Sequence, residues 1–343
     1  MSNDQSNTQP AILEEPETPS AAAILEQQIT KTMPAMPADL RRVVAQLGAS
    51  IAKKSATQAK PETPPEPPPE PPAKVIQLDF WEDSRRAAPN IVFRSKLFPA
   101  LNPKQERRYL DKEQIFTTKG SEIYFTGKQF DQSDLDVYLE ILNFARPFPL
   151  GIPVRFTAYS MLKALGRNTG KSDREWLHGV LTRLRGGTVD MTDHKKRYFG
   201  GLIEGGVCDE ITTHYEIIIN PRFAVLFGFG MWSALDKAQR NELGRNQTAK
   251  ALHAYYSTHA APGPHEYATL AEITGLTDKN PRKVKMRIIA AHEELKRVGF
   301  LSDYKAGATT IKVTINHTPG QTHHIVKKII KSRKKKGTRQ REG

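Results

Sequence analysis

The sequence predicts an α+β protein in several parts, on three observations. Thirteen of its 24 prolines fall within residues 1–74, and nine of residues 323–343 are Lys or Arg. Between them, three helical segments followed by β-rich segments occur twice. Three helices and a hairpin is the order of a winged helix. The expected architecture is two tandem winged-helix domains, with a disordered Pro-rich N-terminal region and a basic C-terminal tail. The expected boundaries are a disordered 1–74, a linker over 75–102, domains over 103–228 and 229–322, and a tail over 323–343.

Residues 1–74 hold seven basic and nine acidic side chains. Within them, Pro61-Glu62-Thr63-Pro64-Pro65-Glu66-Pro67-Pro68-Pro69-Glu70-Pro71-Pro72 cannot form helix or sheet, because proline lacks the amide donor and fixes φ. It is expected to be an extended polyproline spacer. Ahead of it, Leu40, Val43, Val44, Leu47 and Ile51 follow a helical period over 38–54, beside Arg41, Arg42, Lys53 and Lys54. Two readings stand: a marginal helix in solvent, or a helix that docks on a partner protein.

In the first half, Leu135, Tyr138, Leu139, Leu142 and Ala145 make a helical stripe over about 134–146, ended by Arg146-Pro147-Phe148-Pro149. A short helix over 157–165 is stopped by Gly166. A third helix is expected from Ser172, with Glu175 at capping-box spacing and a stripe of Leu177, Val180, Leu181 and Leu184 before Gly186-Gly187. Strands follow near 188–192, 197–203 and 214–219, the first two joined by Asp193-His194-Lys195-Lys196.

The second half repeats this order. A helix over 247–259 carries Thr248, Leu252, Tyr255 and Tyr256 on one face, and Pro262-Gly263-Pro264 follows it. In a short helix over 269–275, Thr269 and Glu272 have capping-box spacing. The third helix opens at Asn280-Pro281, a cap residue before proline at the first helical position. Its stripe of Val284, Ile288, Ala291, Leu295 and Val298 ends at Gly299. Residues 300–304 and 310–315 read as hairpin strands around Lys305-Ala306-Gly307-Ala308.

Composition bounds the function. The net charge of +14 points to a polyanionic partner, of which nucleic acid is the commonest. The tail carries nine cations against Glu342 alone, whereas 75–322 still holds 35 basic and 27 acidic residues, so the basicity is not only a tail effect. A tail of this kind acts as a non-specific electrostatic arm. One cysteine, Cys208, excludes an intramolecular disulfide framework and any multi-thiolate metal site. Met1-Ser2-Asn3-Asp4 lacks the features of a secretory signal, and no window approaches the ~18 apolar residues of a membrane helix. A cytoplasmic protein without membrane partners is expected.

Gly166-Arg167-Asn168-Thr169-Gly170-Lys171-Ser172 invites a phosphate-loop reading, but three residues rather than four separate its glycines, and Ala158–Leu165 before it reads as helix, not strand. The better reading is the turn of a helix-turn-helix, with Lys171 near backbone phosphates and the Ser172 amide end facing them. Of ten histidines, His253 and His259 are six apart and do not share a face, and His323-His324 lacks the His-apolar-His spacing of a strand-nicking metal site. No catalytic residue, metal or cofactor is expected.

The helix opened by Asn280-Pro281 is more informative. Its first two turns hold Arg282, Lys283, Lys285 and Arg287 and no acid, whereas Glu293 and Glu294 come later. Cations at a helix N-terminus oppose the macrodipole by ~0.3–1 kcal/mol each. A recognition helix accepts that cost where it points its first turns at base edges; the other reading is an ordinary solvated face. The expected DNA-binding set is Asn280, Arg282, Lys283, Lys285 and Arg287, with Lys171, Ser172 and Arg174 from the first half. Lys195, Lys196 and Arg197 at the first hairpin and Lys305 at the second complete it. Arg282 or Arg287 is expected to read bases, and Lys283 and Lys285 to position the backbone.

From about Val75 to about Phe300 the chain resembles the TrfA family of iteron-type plasmid replication initiators. The resemblance rests on Asn90–Asn102, with Ser95-Lys96-Leu97-Phe98, and on Glu122-Ile123-Tyr124-Phe125-Thr126-Gly127. It rests also on Pro149-Leu150-Gly151-Ile152-Pro153-Val154-Arg155-Phe156-Thr157 and Val225-Leu226-Phe227. Gln77-Leu78-Asp79-Phe80-Trp81 looks like the Gln-Leu-Ser/Asp-Leu-Phe peptide with which such initiators hold the replicative sliding clamp, with Phe80 and Trp81 in the Leu and Phe places. The resemblance implies two winged helices, monomer binding to repeated sites at an origin, and duplex opening that exposes single-stranded DNA. It implies helicase and host-initiator recruitment, a monomer–homodimer equilibrium that restrains copy number, and a plasmid- or nucleoid-associated location. A winged-helix transcriptional regulator is the alternative, and the clamp-like peptide separates the two. A nicking replication enzyme is argued against by the missing His-apolar-His motif.

Overall fold

A computed structural model describes residues 20–58, 77–78, 81–102, 105–118, 120–193, 196–209, 211–228, 231–317 and 322. The polyproline stretch 61–72, the tail 323–343, Asp79, Phe80, His194 and Lys195 lie outside the described residues. The chain divides into two compact units, Met1–Ala73 and Lys74–Gly343.

The first unit is a pair of helices, α1 (Ala21–Thr32) and α2 (Ala38–Gln58). This corrects the expectation of disorder broken only by a helix over 38–54. Pro34 and Pro37 fall between the helices, and the proline-free stretch before them opens with Ala21-Ala22-Ala23, of high helix propensity. Ser20 caps α1 by accepting from the Ala23 amide. The helices meet at Ala45, which is 1% exposed, and at Gly48, beside the Leu25 side chain.

In the second unit, β1 (Arg85–Pro89) pairs antiparallel with β9 (Trp232–Asp236), tying the segment after the proline stretch to the middle of the chain. A single turn, α3 (Asn90–Phe93), follows β1. Four strands, β2 (Tyr109–Ile115), β3 (Ser121–Lys128), β5 (Thr188–Asp193) and β6 (Lys196–Gly201), form an antiparallel sheet in the order β2-β3-β5-β6. The remaining elements of the first half are α4 (Gln132–Ala145), β4 (Val154–Thr157), α5 (Ala158–Ala164), α6 (Lys171–Gly186), β7 (Ile203–Asp209) and β8 (His214–Ile219). Their sheet runs β4-β8-β7. After a 3-10 turn, Pro221–Phe227, and α7 (Lys237–Glu242), the same order recurs. It comprises α8 (Gln247–Ser257), β10 (His265–Glu266), α9 (Tyr267–Thr274), α10 (Pro281–Arg297), β11 (Leu301–Ala306) and β12 (Thr310–Ile315), with sheet order β10-β12-β11.

Mixed helix and sheet is thus the fold class, and three local expectations change. The strands joined by residues 193–196 do not pair with β4 as the hairpin of the three-helix unit. They extend β3, whose alternating Ile123 and Phe125 need Val189 and Met191 beside them on the buried face. The hairpin that pairs with β4 is β7–β8. Helix α6 starts at Lys171 rather than Ser172, and its cap, Gly170, has no side chain to offer, so no Ser172–Glu175 capping box forms. Thr269 and Glu272 lie inside α9, which is capped by Glu266 without a side-chain bond. Capping boxes do form at Asp131 with Asp134 and at Thr157 with Ser160.

Buried residues gather in two cores. One runs from Leu78 to Ala254, centred on Tyr138, Phe130, Ile123 and Phe223; the other joins Leu243–Leu252 to Val284, Ile288, Leu295 and the β11–β12 hairpin. Charged and amide groups fill the joint between α4 and α7–α8. Asp136 accepts from Arg240 Nε at 2.5 Å and Lys250 Nζ at 2.6 Å. Gln247 accepts from the Gln132 amide at 3.1 Å and donates to Ser133 Oγ at 2.9 Å.

Candidate nucleic-acid interface

Helix α10 supplies the sharpest surface. Asn280 Oδ1 accepts from the Arg282 amide at 2.9 Å, and Pro281 fills a position whose amide has no helical partner. Val284, Ile288, Ala291, His292 and Leu295 are buried, which fixes the helix's rotation. Arg282, Lys283, Met286, Arg287 and Ala290 are therefore exposed, with no acid in the first turn.

The four cations are not equivalent. Among the described residues, the Arg282 and Lys283 side chains have no hydrogen-bond or ionic partner. Lys285 turns back on the hairpin, where Nζ donates to Gly307 O at 2.9 Å and Ala308 O at 3.2 Å and lies 5.2 Å from the centre of the Tyr267 ring. Arg287 is held by Asp278 at 2.8 Å. Lys285, expected to position the DNA backbone, is thus drawn away from Lys283, because the backbone carbonyls of the β11–β12 turn attract the ammonium. Lys305 is exposed on β11, opposite Lys312. A cleft of about 310 Å³ adjoins the helix, between Leu101, Asn246, Thr248, Leu276 and Arg287, with the exposed Arg245 at its wall.

At α6, the turn after α5 brings Gly166 to φ +66°, a left-handed conformation that glycine accepts without strain. Lys171, Ser172 and Arg174 are exposed on the first turn, and Lys171 lies 3.9 Å from Glu175. Arg167 fixes this turn by pairing with Asp173 at 2.9 Å and stacking 3.8 Å from the Trp176 ring. In the β5–β6 hairpin, Arg197 is committed to a two-pronged pair with Asp190, at 2.8 and 2.6 Å, which holds that carboxyl below its usual range. Lys195 is outside the described residues, and the Lys196 side chain is not described.

The clamp-like peptide is not the exposed linker its sequence suggests. Leu78 and Trp81 are 5% and 4% exposed and belong to the first core. Trp81 stacks on Phe227, meets Trp232, and donates from Nε1 to Asn143 at 3.2 Å. The Arg146 guanidinium lies over the ring and donates to Trp81 O and Asp83. Gln77 remains exposed, bridged to Pro149, with Nε2 3.5 Å from Arg146 O. Large rings are drawn into apolar cover wherever the chain offers it, and the sequence gives no sign of that cover.

Among the described residues, four histidines, His253, His259, His265 and His292, lie in the second core or at its edge. His253 is fully buried against Phe300, and His292 is locked between Ile288 O (2.7 Å) and the Tyr256 hydroxyl (2.9 Å). Burial pulls His292 and His259 down to about 4, and lowers His253 and His265 as well. Among the described residues, no group of three or more His, Cys, Asp or Glu is placed to hold a metal ion, and no helix is long and apolar enough to cross a membrane. Sequence reasoning missed Arg245, Asp278 and the Asp136–Arg240–Lys250 joint. Only Asp278, two residues before the Asn280 cap, carried a usable signal.

The sequence model of the TrfA protein family matches residues 72–307 of the chain. The chain is 26% identical over 228 residues to the plasmid replication initiator protein TrfA of Escherichia coli, a match that covers 64% of this chain and 59% of that relative. The chain thus spans about three fifths of the length of the curated relative it matches. Among solved structures, domains 2 and 3 of RctB align at a TM-score of 0.45 and 12% identity, covering 67% of this chain and 99% of that one. A Pi initiator protein in complex with iteron DNA aligns at 0.41 and 10% identity, covering 64% of this chain and all of that one. The family match takes in both halves of the second unit, α6 and α10 included, and the chain belongs to the TrfA family.

Proposed function

We propose that this chain is a plasmid replication initiator. It binds repeated sites, iterons, at its origin through two tandem winged helices, helps open the duplex and recruits host replication proteins, with no enzymatic step of its own. Family membership and the E. coli relative support the reading. The observation that carries it is α10: two exposed, unpartnered cations, Arg282 and Lys283, on the acid-free first turn of the third helix in a repeated three-helix unit. A cationic first turn suits a helix whose start meets base edges and phosphates. In this reading α6 presents Lys171, Ser172 and Arg174 to a second groove or its phosphates, and the tail adds non-specific attraction. Sliding clamp, replicative helicase and host initiator are the proposed protein partners, a monomer–homodimer equilibrium the proposed control, and the plasmid-bearing cytoplasm the site of action.

The burial of Leu78 and Trp81 favours keeping a second reading, a winged-helix repressor, because it removes the accessible peptide that separated the two. The test is to place the open reading frame with its flanking DNA in a vector that cannot replicate in the host. Autonomous replication supports the initiator. Absence of replication, with repression of a neighbouring promoter intact, supports the repressor.

A further inference from the structure

The first unit carries an apolar surface that its own fold does not use. Of its described side chains only Ala45 is buried. Leu40, Val43, Val44, Leu47 and Ile51 of α2 are between 42% and 63% exposed, the reverse of what their helical stripe leads one to expect. Single exposed apolar residues are ordinary, but five at 3.6-residue spacing form one continuous face, ~16 Å long at 1.5 Å per residue. A helix pair that buries so little has scant apolar gain to set against the conformational entropy it loses on ordering.

We propose that this face packs against the α2 helix of a second copy of the chain, antiparallel about a two-fold axis, so that two hairpins close into a four-helix bundle. Charge and register choose the occupant. From Val43 to Ala52 the helix carries no charge at all, whereas Asp39, Arg41, Arg42, Lys53 and Lys54 lie at its two ends. A two-fold axis between Ala45 and Gln46 sets Leu40 opposite Ile51 and Val44 opposite Leu47, so the apolar stripe is its own complement. The same operation sets Arg41 and Arg42 opposite Ser50 and Ala49, and brings Asp39 within a turn of the partner's Lys53. A parallel pairing would instead stack Arg41, Arg42, Lys53 and Lys54 on their own copies, and like charges in register are repulsive. Helix α1 meets α2 on a flank of the stripe, where Leu25 touches Gly48, and leaves all five stripe residues exposed, so it does not obstruct the face. Antiparallel neighbours with short connections are the ordinary four-helix arrangement.

The test uses the full chain in a Cys208→Ser background, with Val44→Cys and Leu47→Cys as separate proteins mixed in equal amounts and joined by a short bis-maleimide. Gln27→Cys on the outer side of α1 is the control. The expected result is a mixed Val44→Cys/Leu47→Cys dimer several-fold more abundant than either like dimer or any Gln27→Cys product. A preference for like pairs would overturn the antiparallel register. Products no more abundant than the control would overturn the second copy as occupant and leave the face to a different protein, such as an acidic helix. Separately, Val44→Gln with Leu47→Gln should weaken self-association at least tenfold by sedimentation equilibrium without loss of helical circular dichroism. Unchanged self-association with helicity intact would also refute the proposal.

Discussion

Replacing Asp136 by alanine should destabilise the second unit by ~3–5 kcal/mol, the cost of leaving buried cations without their counter-ion. Asp136 faces two of them, and the side chains of Arg240, Lys250 and Asp136 are only 4%, 10% and 15% exposed. Burial alone would raise the Asp136 pKa, but Arg240 and Lys250 outweigh it and hold the carboxyl below its usual value. Its contribution is thus present above the ordinary carboxylate range and is lost as pH falls through the depressed value. After the change, Arg240 keeps Gln132 Oε1 at 2.9 Å and Lys250 O at 3.0 Å, which softens the loss on that side. Urea unfolding at neutral pH, followed by circular dichroism, measures the effect. Changing Asp136 to Leu and both Arg240 and Lys250 to Met removes all the charge at once and should recover most of the stability, since apolar replacement of a buried ion group is often neutral. A loss from Asp136→Ala below ~1 kcal/mol, the range of solvent-exposed pairs, would refute the claim that this joint is dry.

Further outcomes follow from individual side chains and from the tail. Trp81→Ala should cost ~3–5 kcal/mol in the same urea assay, because it opens a cavity beneath Phe227 and Trp232. Gly275→Ala should cost at least ~1–2 kcal/mol, read as a lowered melting temperature, because Gly275 is at φ +72° and a Cβ there would come within 2.4 Å of Pro99 Cβ. For His292, held neutral with its pKa near 4, the unfolded chain binds the extra proton between pH 6.5 and 4, so stability falls as pH drops through that window. The share of His292 should reach ~3 kcal/mol, and His292→Leu should reduce the slope by that share while His253, His259 and His265 keep the rest. Deleting 325–343 should weaken binding to all DNA alike and reduce the log–log salt slope by ~0.9 for each phosphate that the tail no longer neutralises.

Local signals carried much of this fold. Asn280-Pro281 and Gly299 bracket α10 because a cap, a pre-set φ and a left-handed stop each act within a turn, and Val284, Ile288 and Leu295 mark its buried side by period alone. What stayed illegible was decided at a distance. Strand β2 reads Tyr-Leu-Asp-Lys-Glu-Gln-Ile, an edge strand with a bulge and Lys112 at φ +47°, so its alternation is broken. The pairing of β5 with β3 rather than with β4 or β8 depends on residues some 65 positions apart, and nothing near Asp193 announces it. At the interface, the cationic set on α10 was legible from composition. That Lys285 would turn to Gly307 and Arg287 to Asp278 was not, because each partner lies in a turn whose path only the folded chain fixes. The same holds for Trp81, whose cover comes from Phe227 and Trp232, about 150 residues on.

Because Lys285 and Arg287 are already engaged, Arg282 is the arginine on α10 left to read a base edge, and Lys283 is left for the backbone. The most direct test titrates Arg282→Ala and Lys283→Ala against cognate and scrambled duplexes at one fixed salt concentration. Arg282→Ala should lose ~1–3 kcal/mol on the cognate site and far less on the scrambled one, whereas Lys283→Ala should weaken both about equally. If Arg282→Ala leaves the gap between the two DNAs unchanged, α10 does not read the sequence and the central claim fails.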